Sequence, residues 1–307
     1  MRIVVLGAGV IGTSSAWFLS RRGHVVTVLE REPGAGLQTS FANGGQISVS
    51  HAEPWANPSA PLKILKWLAK EDAPLLFRLR PDLRQWLWGL SFLRECLPSR
   101  TRRNIRQIVN LGLYSRATLG ELRRETGIAY DELTAGILHF YTSERELEAA
   151  IEPTRLMNEL GCDRQVKTPE ECIAIEPALA FAKDRIVGGT YTPSDESGDA
   201  HLFTVRLAAL AAERGVEFRY GTRILSLDRA GDRVASVRVA DAKGRISVVR
   251  ADAFVVALGS YSPFLLRPLC IRVPIYPAKG YSVTMKVADC VASDFARQIP
   301  VSFRPHL

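Results

Sequence analysis

No stretch of this sequence approaches the roughly 20 consecutive apolar residues that cross a bilayer, because Arg, Lys, Asp or Pro interrupts every hydrophobic run. The amino end lacks the features of a secretory leader. Met1-Arg2 runs straight into Ile3-Val4-Val5-Leu6 and a glycine loop with no small-residue cleavage site, so it reads as part of the fold. Cysteine is scarce and scattered: Cys96, Cys162, Cys172, Cys270 and Cys290 form no CxxC pair, which argues against a zinc site or a disulfide scaffold. No metal is expected, and a reducing, cytoplasmic setting is the simplest reading. Acidic residues are outnumbered, 32 against 40 basic ones, for a net charge of +8. The excess gathers between Arg94 and Arg106, where a solvated helix face is the commoner meaning of a charge run and nucleic-acid binding the sharper one; no nucleic-acid partner is expected. What is present is a 47% hydrophobic composition over 307 residues, enough for two packed domains.

The order of elements points to an α/β fold. Arg2–Leu6 is a short β-rich run, Ile11–Arg22 has helical composition, and Val25–Glu30 is a second apolar strand ended by charge, the opening of a doubly wound sheet. Residues 34–45 turn to Gly, Ser, Thr and Asn and read as a loop. From Leu62 to Arg124 apolar residues recur at helical spacing, interrupted by Pro74, Pro81 and Pro98, which predicts successive helices of a separate cap. Glu132–Thr142 and Ile186–Thr192 are strand-like, and Glu144–Leu160 is helical. A helix from about His201 to Arg214 should end on Gly215 as a left-handed cap, and Asp199 should cap its start. Short strands follow at Val216–Tyr220, Thr222–Leu227, Val234–Val239 and Ile246–Arg250, with turns at Gly231-Asp232 and Lys243-Gly244 making a meander of three of them. The apolar run Phe254–Leu258 suits a strand buried on both faces that returns to the sheet begun at Ile3.

The chemistry-bearing motif is Gly7-Ala8-Gly9-Val10-Ile11-Gly12, between strand residues Val5-Leu6 and a helix. In this spacing the first glycine permits the tight turn, the second lets backbone approach a pyrophosphate, and the third lets helix and strand pack closely. Phosphates would sit at the helix N-terminus, where unpaired N–H groups and the helix dipole favour negative charge. Glu30, followed by Arg31, ends the second strand where an acceptor for the ribose hydroxyls belongs. Two features favour FAD over NAD. The small residues around Ser40, Asn43, Gly44 and Gly45 lie where an NAD domain would continue into strand and helix, and the sheet resumes only at Phe254, so a large insertion splits the nucleotide domain.

Beyond these motifs the chain resembles the D-amino-acid oxidase superfamily and, within it, the bacterial D-amino acid dehydrogenase small subunits. The resemblance runs from Met1 to about Val287. It is carried by Thr39-Ser40-Phe41-Ala42-Asn43-Gly44-Gly45-Gln46, Tyr114-Ser115-Arg116, Asp195-Glu196-Ser197-Gly198-Asp199 and Pro277-Ala278-Lys279-Gly280-Tyr281-Ser282. It implies a split FAD/NAD(P)-binding Rossmann-like domain (1–58 and 195–270) with an inserted α+β substrate/cap domain (59–194 and 271–307). By analogy Ile224 offers backbone to adenine and Gly259 approaches the FAD. The implied reaction is oxidation of a D-amino acid, D-alanine first, by hydride transfer to flavin. The imino acid then hydrolyses to a 2-oxo acid and ammonia, and the electrons pass to a quinone-type or respiratory-chain acceptor. The rival readings are an oxygen-using glycine or sarcosine oxidase and an inactive flavin-binding remnant.

Other residues invite weaker readings. Tyr281 is a candidate substrate contact, although an aromatic on a strand is more often core. His51 and His201 are set aside as catalysts because flavin supplies its own electron sink. Trp67, Trp86 and Trp88 read as ordinary cap packing, with an amphipathic surface resting peripherally on the inner face of the plasma membrane as the alternative. After Val287 the sequence departs from the family pattern and stops at Leu307, and the expectation is an incomplete C-terminal part, weak FAD retention and negligible turnover.

Overall fold

The computed structural model describes residues 1–67, 81–278, 280 and 301–303. The chain opens with β1 (Arg2–Leu6), α1 (Val10–Arg21) and β2 (Val25–Leu29), followed by β3 (Gln46–Ile47), α2 (Ala60–Trp67), α3 (Leu83–Glu95) and α4 (Pro98–Thr126). Then come β4 (Ile137–Tyr141), α5 (Glu144–Glu159), β5 (Gln165–Lys167), α6 (Pro169–Ile175), β6 (Gly188–Thr192) and β7 (Glu196–Ser197). The remaining elements are α7 (Ala200–Glu213), β8 (Glu217–Arg219), β9 (Arg223–Ala230), β10 (Arg233–Ala240), β11 (Ile246–Arg250), β12 (Ala253–Val256), α8 (Ser262–Leu266) and β13 (Val301–Phe303). They fall into two compact units. One comprises Met1–Gly45, Thr126–Asp131 and Asp199–Ser282; the other comprises Gln46–Glu125, Glu132–Gly198 and Val283–Leu307.

The first unit is built on a parallel sheet of order β12-β1-β2-β8. β1 pairs with β2 from Arg2↔Val25 to Leu6↔Leu29 and with β12 from Ile3↔Ala253 to Leu6↔Val256. Val5, Leu6, Val28 and Leu29 are wholly buried, as expected of parallel strands covered on both faces. The antiparallel meander β11-β10-β9 turns where the sequence places Gly231 and Gly244, both at positive φ. Its Leu227, Val237 and Val239 share a buried cluster with Val4, Leu6 and Leu29 of the parallel sheet and Leu265 of α8. Helix α7 starts on Asp199, whose carboxylate accepts the Leu202 N–H at 2.8 Å. It ends in a Schellman turn: Gly215 N–H reaches Ala212 O and Val216 N–H reaches Ala211 O, with Gly215 at φ 87°.

Two strands depart from the sequence reading. Val216–Tyr220 is shortened to β8 and joins the parallel sheet, Thr27 opposite Glu217. A three-residue strand gives no periodicity from which to assign its sheet. β12 does return beside Ile3 as expected, but it is the terminal strand of its sheet and only half-buried, not covered on both faces.

In the second unit β4, β6, β5 and β13 form one sheet, with β13 parallel to β4. Leu138, Cys172, Leu179 and Ile186 form one core of this unit, and Val49, Ile105, Val109 and Met157 form another. The prolines act as helix boundaries. Pro81 precedes the Asp82 cap of α3, whose side chain accepts the Arg84 N–H, and Pro98 opens α4. Pro74 lies outside the described residues. Arg102, Arg103 and Arg106 are exposed along α4, and Arg100 pairs with Glu95 at 2.7 Å. α3 breaks the expectation of ordinary packing. Trp88 does stack on Phe92, but Trp86 and four leucines of this helix face solvent.

Candidate cofactor site

β1 delivers Val5 and Leu6 into the core, and the chain then turns at Gly7, whose φ is 104°. A Cβ there would lie 2.6 Å from Ala257 O, and a Cβ at Gly12 would lie 1.9 Å from Gly7 O. Both glycines are therefore required by the protein's own packing. Gly9 differs: at φ −70° any residue is allowed, and a Cβ would meet only Ser40 Oγ at an ordinary 3.5 Å. Among the described residues nothing approaches a Cβ at Gly9 more closely, so the protein's own packing does not require a glycine there.

Gly9 is the N-cap of α1 and brings no side-chain cap, and the first turn holds no acidic residue. The first intrahelical bond runs from Thr13 N–H to Gly9 O, so the amides of Val10, Ile11 and Gly12 have no partner within the helix. Val10 N–H donates to Ser40 Oγ at 3.0 Å. A helix start capped by a side chain only at Val10, with a glycine at its N-cap, has the chemistry to attract an anionic group.

Glu30 lies beside this loop. Its Oε2 accepts the Ala8 N–H at 2.7 Å and its Oε1 accepts the Glu32 N–H at 3.0 Å, so the carboxylate is fixed in place before any ligand arrives. Each oxygen retains a second lone pair for a hydroxyl donor. Thr222 N–H donates to Glu30 O at 2.7 Å, which brings the start of β9, with Ile224, to the end of β2. Ile224 packs its side chain on the meander core. Burial, with Glu30 adding to it, raises the Tyr220 hydroxyl above its usual pKa. Arg31 sits 4.4 Å over the Tyr261 ring, and its proton is held more tightly than usual, chiefly by a hydrogen bond to that residue and then by Glu32.

The loop after β2 is internally braced. Asn43 Nδ2 donates to Ser40 O at 3.0 Å, and Asn43 Oδ1 accepts the Gly45 N–H at 2.8 Å, with Gly45 at φ 60°. A Cβ on Gly44 would meet nothing. Gly259, at φ 52°, begins the single turn that carries Tyr261. The structure thus brings the Gly7–Gly12 loop, Glu30 and Ser40 together; Tyr281 and the Trp67 side chain lie outside the described residues.

Three of the described histidines make ring contacts. His201 meets Phe41 edge to face at 4.9 Å, and His51 lies 3.7 Å from the His139 ring. Among the cysteines, burial pushes the Cys172 thiol up to about 11 and raises Cys96 and Cys162, which favours the protonated thiol at neutral pH. Sequence reasoning missed one polar centre. Asp195 is wholly buried and accepts Ser48 Oγ and Ser50 Oγ at 2.6 Å and Val49 N–H at 3.0 Å, with Arg116 3.5 Å away. Asp195 and Arg116 were among the residues that carry the resemblance, but nothing local in the sequence pairs them with each other or with Ser48 and Ser50. Among the described residues no cluster of His, Cys, Asp or Glu is placed to hold a metal, and no helix is long and apolar enough to cross a membrane.

Comparison with known proteins places the chain in a family. A D-amino acid dehydrogenase of Dechloromonas aromatica (strain RCB) is 55% identical over 289 residues, covering 94% of this chain and 69% of its own. One of Paramagnetospirillum magneticum is 56% identical over 288 residues, covering 94% and 67%. The chain therefore spans about two thirds of the length of these relatives. Among solved structures, the L-proline dehydrogenase of P. horikoshii matches at TM-score 0.62 and 19% identity over 88% of this chain and 56% of that one. The glycine oxidase of Bacillus cereus ATCC 14579 matches at 0.57 and 23% over 87% and 57%. These two show the fold alone. The family model described as FAD dependent oxidoreductase matches residues 2–306, and the chain belongs to that FAD-dependent family.

Proposed function

We propose that the chain binds FAD and acts in the oxidation of D-amino acids, D-alanine first among them, to 2-oxo acids and ammonia, with a quinone-type compound as final electron acceptor. The observation that carries the reading is the helix start at Gly9, beside the pre-set carboxylate of Glu30. The helix-start amides of Ile11 and Gly12 hold the diphosphate, while Ala8 N–H is held by Glu30 and Val10 N–H by Ser40, and Glu30 accepts the ribose hydroxyls. Ile224 offers backbone to the adenine, and Gly259 allows close approach. Ser40, Asn43, Gly44 and Gly45 form the braced loop along which the cofactor continues. When bound, FAD supplies the two-electron acceptor that converting an amine to an imine requires; water then releases ammonia from the imino acid. The identity with named D-amino acid dehydrogenases supports the substrate class.

The test is a visible spectrum of the purified protein with FAD, recorded anaerobically before and after D-alanine. Bleaching by D-alanine, with colour restored faster by a quinone analogue than by oxygen, is the expected result. Bleaching by glycine or sarcosine with fast reoxidation by oxygen refutes the dehydrogenase reading, and bound flavin that no amino acid bleaches refutes the enzyme reading.

Peripheral membrane contact has its own support in α3. Leu83, Trp86, Leu87 and Leu90, spaced i, i+3, i+4 and i+7, are 72%, 52%, 55% and 65% exposed on one stripe, while Gln85 is buried. Arg84 and Arg94 flank the stripe. A leucine ridge with a tryptophan and flanking cations suits the interface of an anionic bilayer. The protein should cosediment with phosphatidylglycerol-containing vesicles, and Trp86→Glu should cut the bound fraction several-fold; equal binding by both proteins excludes α3 as the contact.

A further inference from the structure

The contact between Arg31 and Tyr261 is not explained by the fold. Neither residue fills the core: Tyr261 is half-exposed, and the Arg31 side chain is 40% exposed. They come from opposite sides of the nucleotide strand. Arg31 follows β2 and Tyr261 follows β12, and in the order β12-β1-β2 these two strands flank β1. At ordinary strand spacing β2 and β12 lie about 10 Å apart, so the pair, 4.4 Å from guanidinium to ring centroid, bridges the space beyond the C-terminal end of β1. In open parallel sheets this is where ligands bind.

The backbone places both residues with care. Gly259 at φ 52° starts the tight turn, closed by Tyr261 N–H to Leu258 O at 3.0 Å, that lifts the ring above the strand end. Behind it α8 seats Leu265 in the cluster that also holds Leu227 of β9, with Ile224 and Leu266 packed against it. The Arg31 guanidinium is oriented from its other side by Glu32 Oε1 at 3.1 Å. A planar cation and a planar phenol ring, partly exposed and next to the ribose-binding Glu30, have the chemistry that stacks on a purine face.

We propose that Tyr261, acting with Arg31, is a cofactor-positioning residue whose ring and guanidinium form the stacking wall for the adenine of FAD. The proposal rests on the assignment of the Gly7–Gly12 loop and Glu30 as the ADP cradle. It adds a residue from the far side of β1, which the motif does not include. The wall orients adenine through its π-face; the phenol hydroxyl acts only on Arg31, which the ring and Glu32 also hold in place.

ADP is the probe, titrated by calorimetry against the apoprotein, with FAD titrated alongside by fluorescence quenching. Tyr261→Ala should raise the Kd for ADP and for FAD about tenfold by the same factor, while the apoprotein melts at the parent temperature. Tyr261→Phe should stay within about twofold, because it keeps the ring. Arg31→Met should weaken ADP similarly, and the double variant should fall short of the product of the two single losses. The ultraviolet difference spectrum that adenine produces on stacking should vanish in Tyr261→Ala. Parental ADP affinity in Tyr261→Ala overturns the proposal, as does Tyr261→Phe being as weak as Tyr261→Ala. If Tyr261→Ala fails to fold, parental ADP affinity in Arg31→Met overturns it instead. A failure of the cradle itself looks different: the Gly9→Glu protein would then bind ADP as the parent does.

Discussion

The three glycines of the phosphate loop respond differently to substitution, and Gly9 separates binding from folding. Gly9→Glu places a side chain where the protein offers no obstacle nearer than Ser40 Oγ, 3.5 Å from the new Cβ, and at a backbone conformation open to any residue. Losing glycine at an N-cap for a poorer capping residue costs about 0.5–1 kcal/mol, and a carboxylate at the helix start returns about 0.3–1 kcal/mol through the dipole. The apoprotein should therefore melt within a few degrees of the parent. FAD should be lost, because the carboxylate occupies the pyrophosphate position with like charge, and affinity should drop at least 100-fold, about 2.7 kcal/mol. Gly12→Ala is the converse. Its Cβ falls 1.9 Å from Gly7 O, a backbone atom that cannot swing aside, and the overlap should cost about 3 kcal/mol or more of folding stability. Thermal unfolding of both apoproteins and FAD titration of Gly9→Glu decide the matter. A Gly9→Glu protein that binds FAD like the parent, or a Gly12→Ala apoprotein that melts like the parent, refutes the division of labour.

Glu30→Ala should weaken FAD binding by about 1–3 kcal/mol and also lower the apoprotein's melting temperature, since the carboxylate anchors both Ala8 and Glu32; unchanged FAD affinity shows that the ribose is held elsewhere. Asp195→Ala should cost about 3–5 kcal/mol in denaturant unfolding, because it strands Ser48, Ser50 and Val49 N–H and leaves Arg116 without its buried partner; a loss under 1 kcal/mol is the refuting result. Burial lifts the Cys172 thiol from 9.0 to about 11 in the folded state. The unfolded chain ionises first, so stability should fall as pH rises from 9 to 11 by up to about 2 kcal/mol. In Cys172→Ala that part of the alkaline slope should disappear, and an unaltered slope assigns it to other groups.

The frame of the nucleotide unit was legible because its signals are local. Gly7, Gly12, Gly215, Gly231 and Gly244 each mark a turn or close approach that only glycine serves, and the runs between them are long enough to show a period. The sheet to which Glu217–Arg219 belongs was not legible, since three residues carry no period and the choice depends on what lies beside Thr27. Glu30 was readable as an acceptor from its place after β2, but its two bonds to Ala8 and Glu32 depend on how the chain turns back at residues 30–32. The outward face of α3 was hidden for another reason. Amphipathic spacing says that one side of a helix is apolar, and says nothing about whether that side meets the core.

The pairing of β1 with β12 carries a consequence for biosynthesis. Ile3 lies opposite Ala253, and Arg2 N–H donates to Asp252 at a sequence separation of 250 residues. A ribosome adding about 5–20 residues per second needs roughly 12–50 seconds to make the intervening chain. Throughout that interval β1 has β2 on one side and an open edge on the other, with Val4, Val5 and Leu6 among its residues. An unpaired apolar strand edge is a template for the wrong partner. The nascent chain is therefore most vulnerable to aggregation before Ala253–Val256 emerges, and a chaperone that shields β1 during elongation should raise the yield of folded protein more than one added after release.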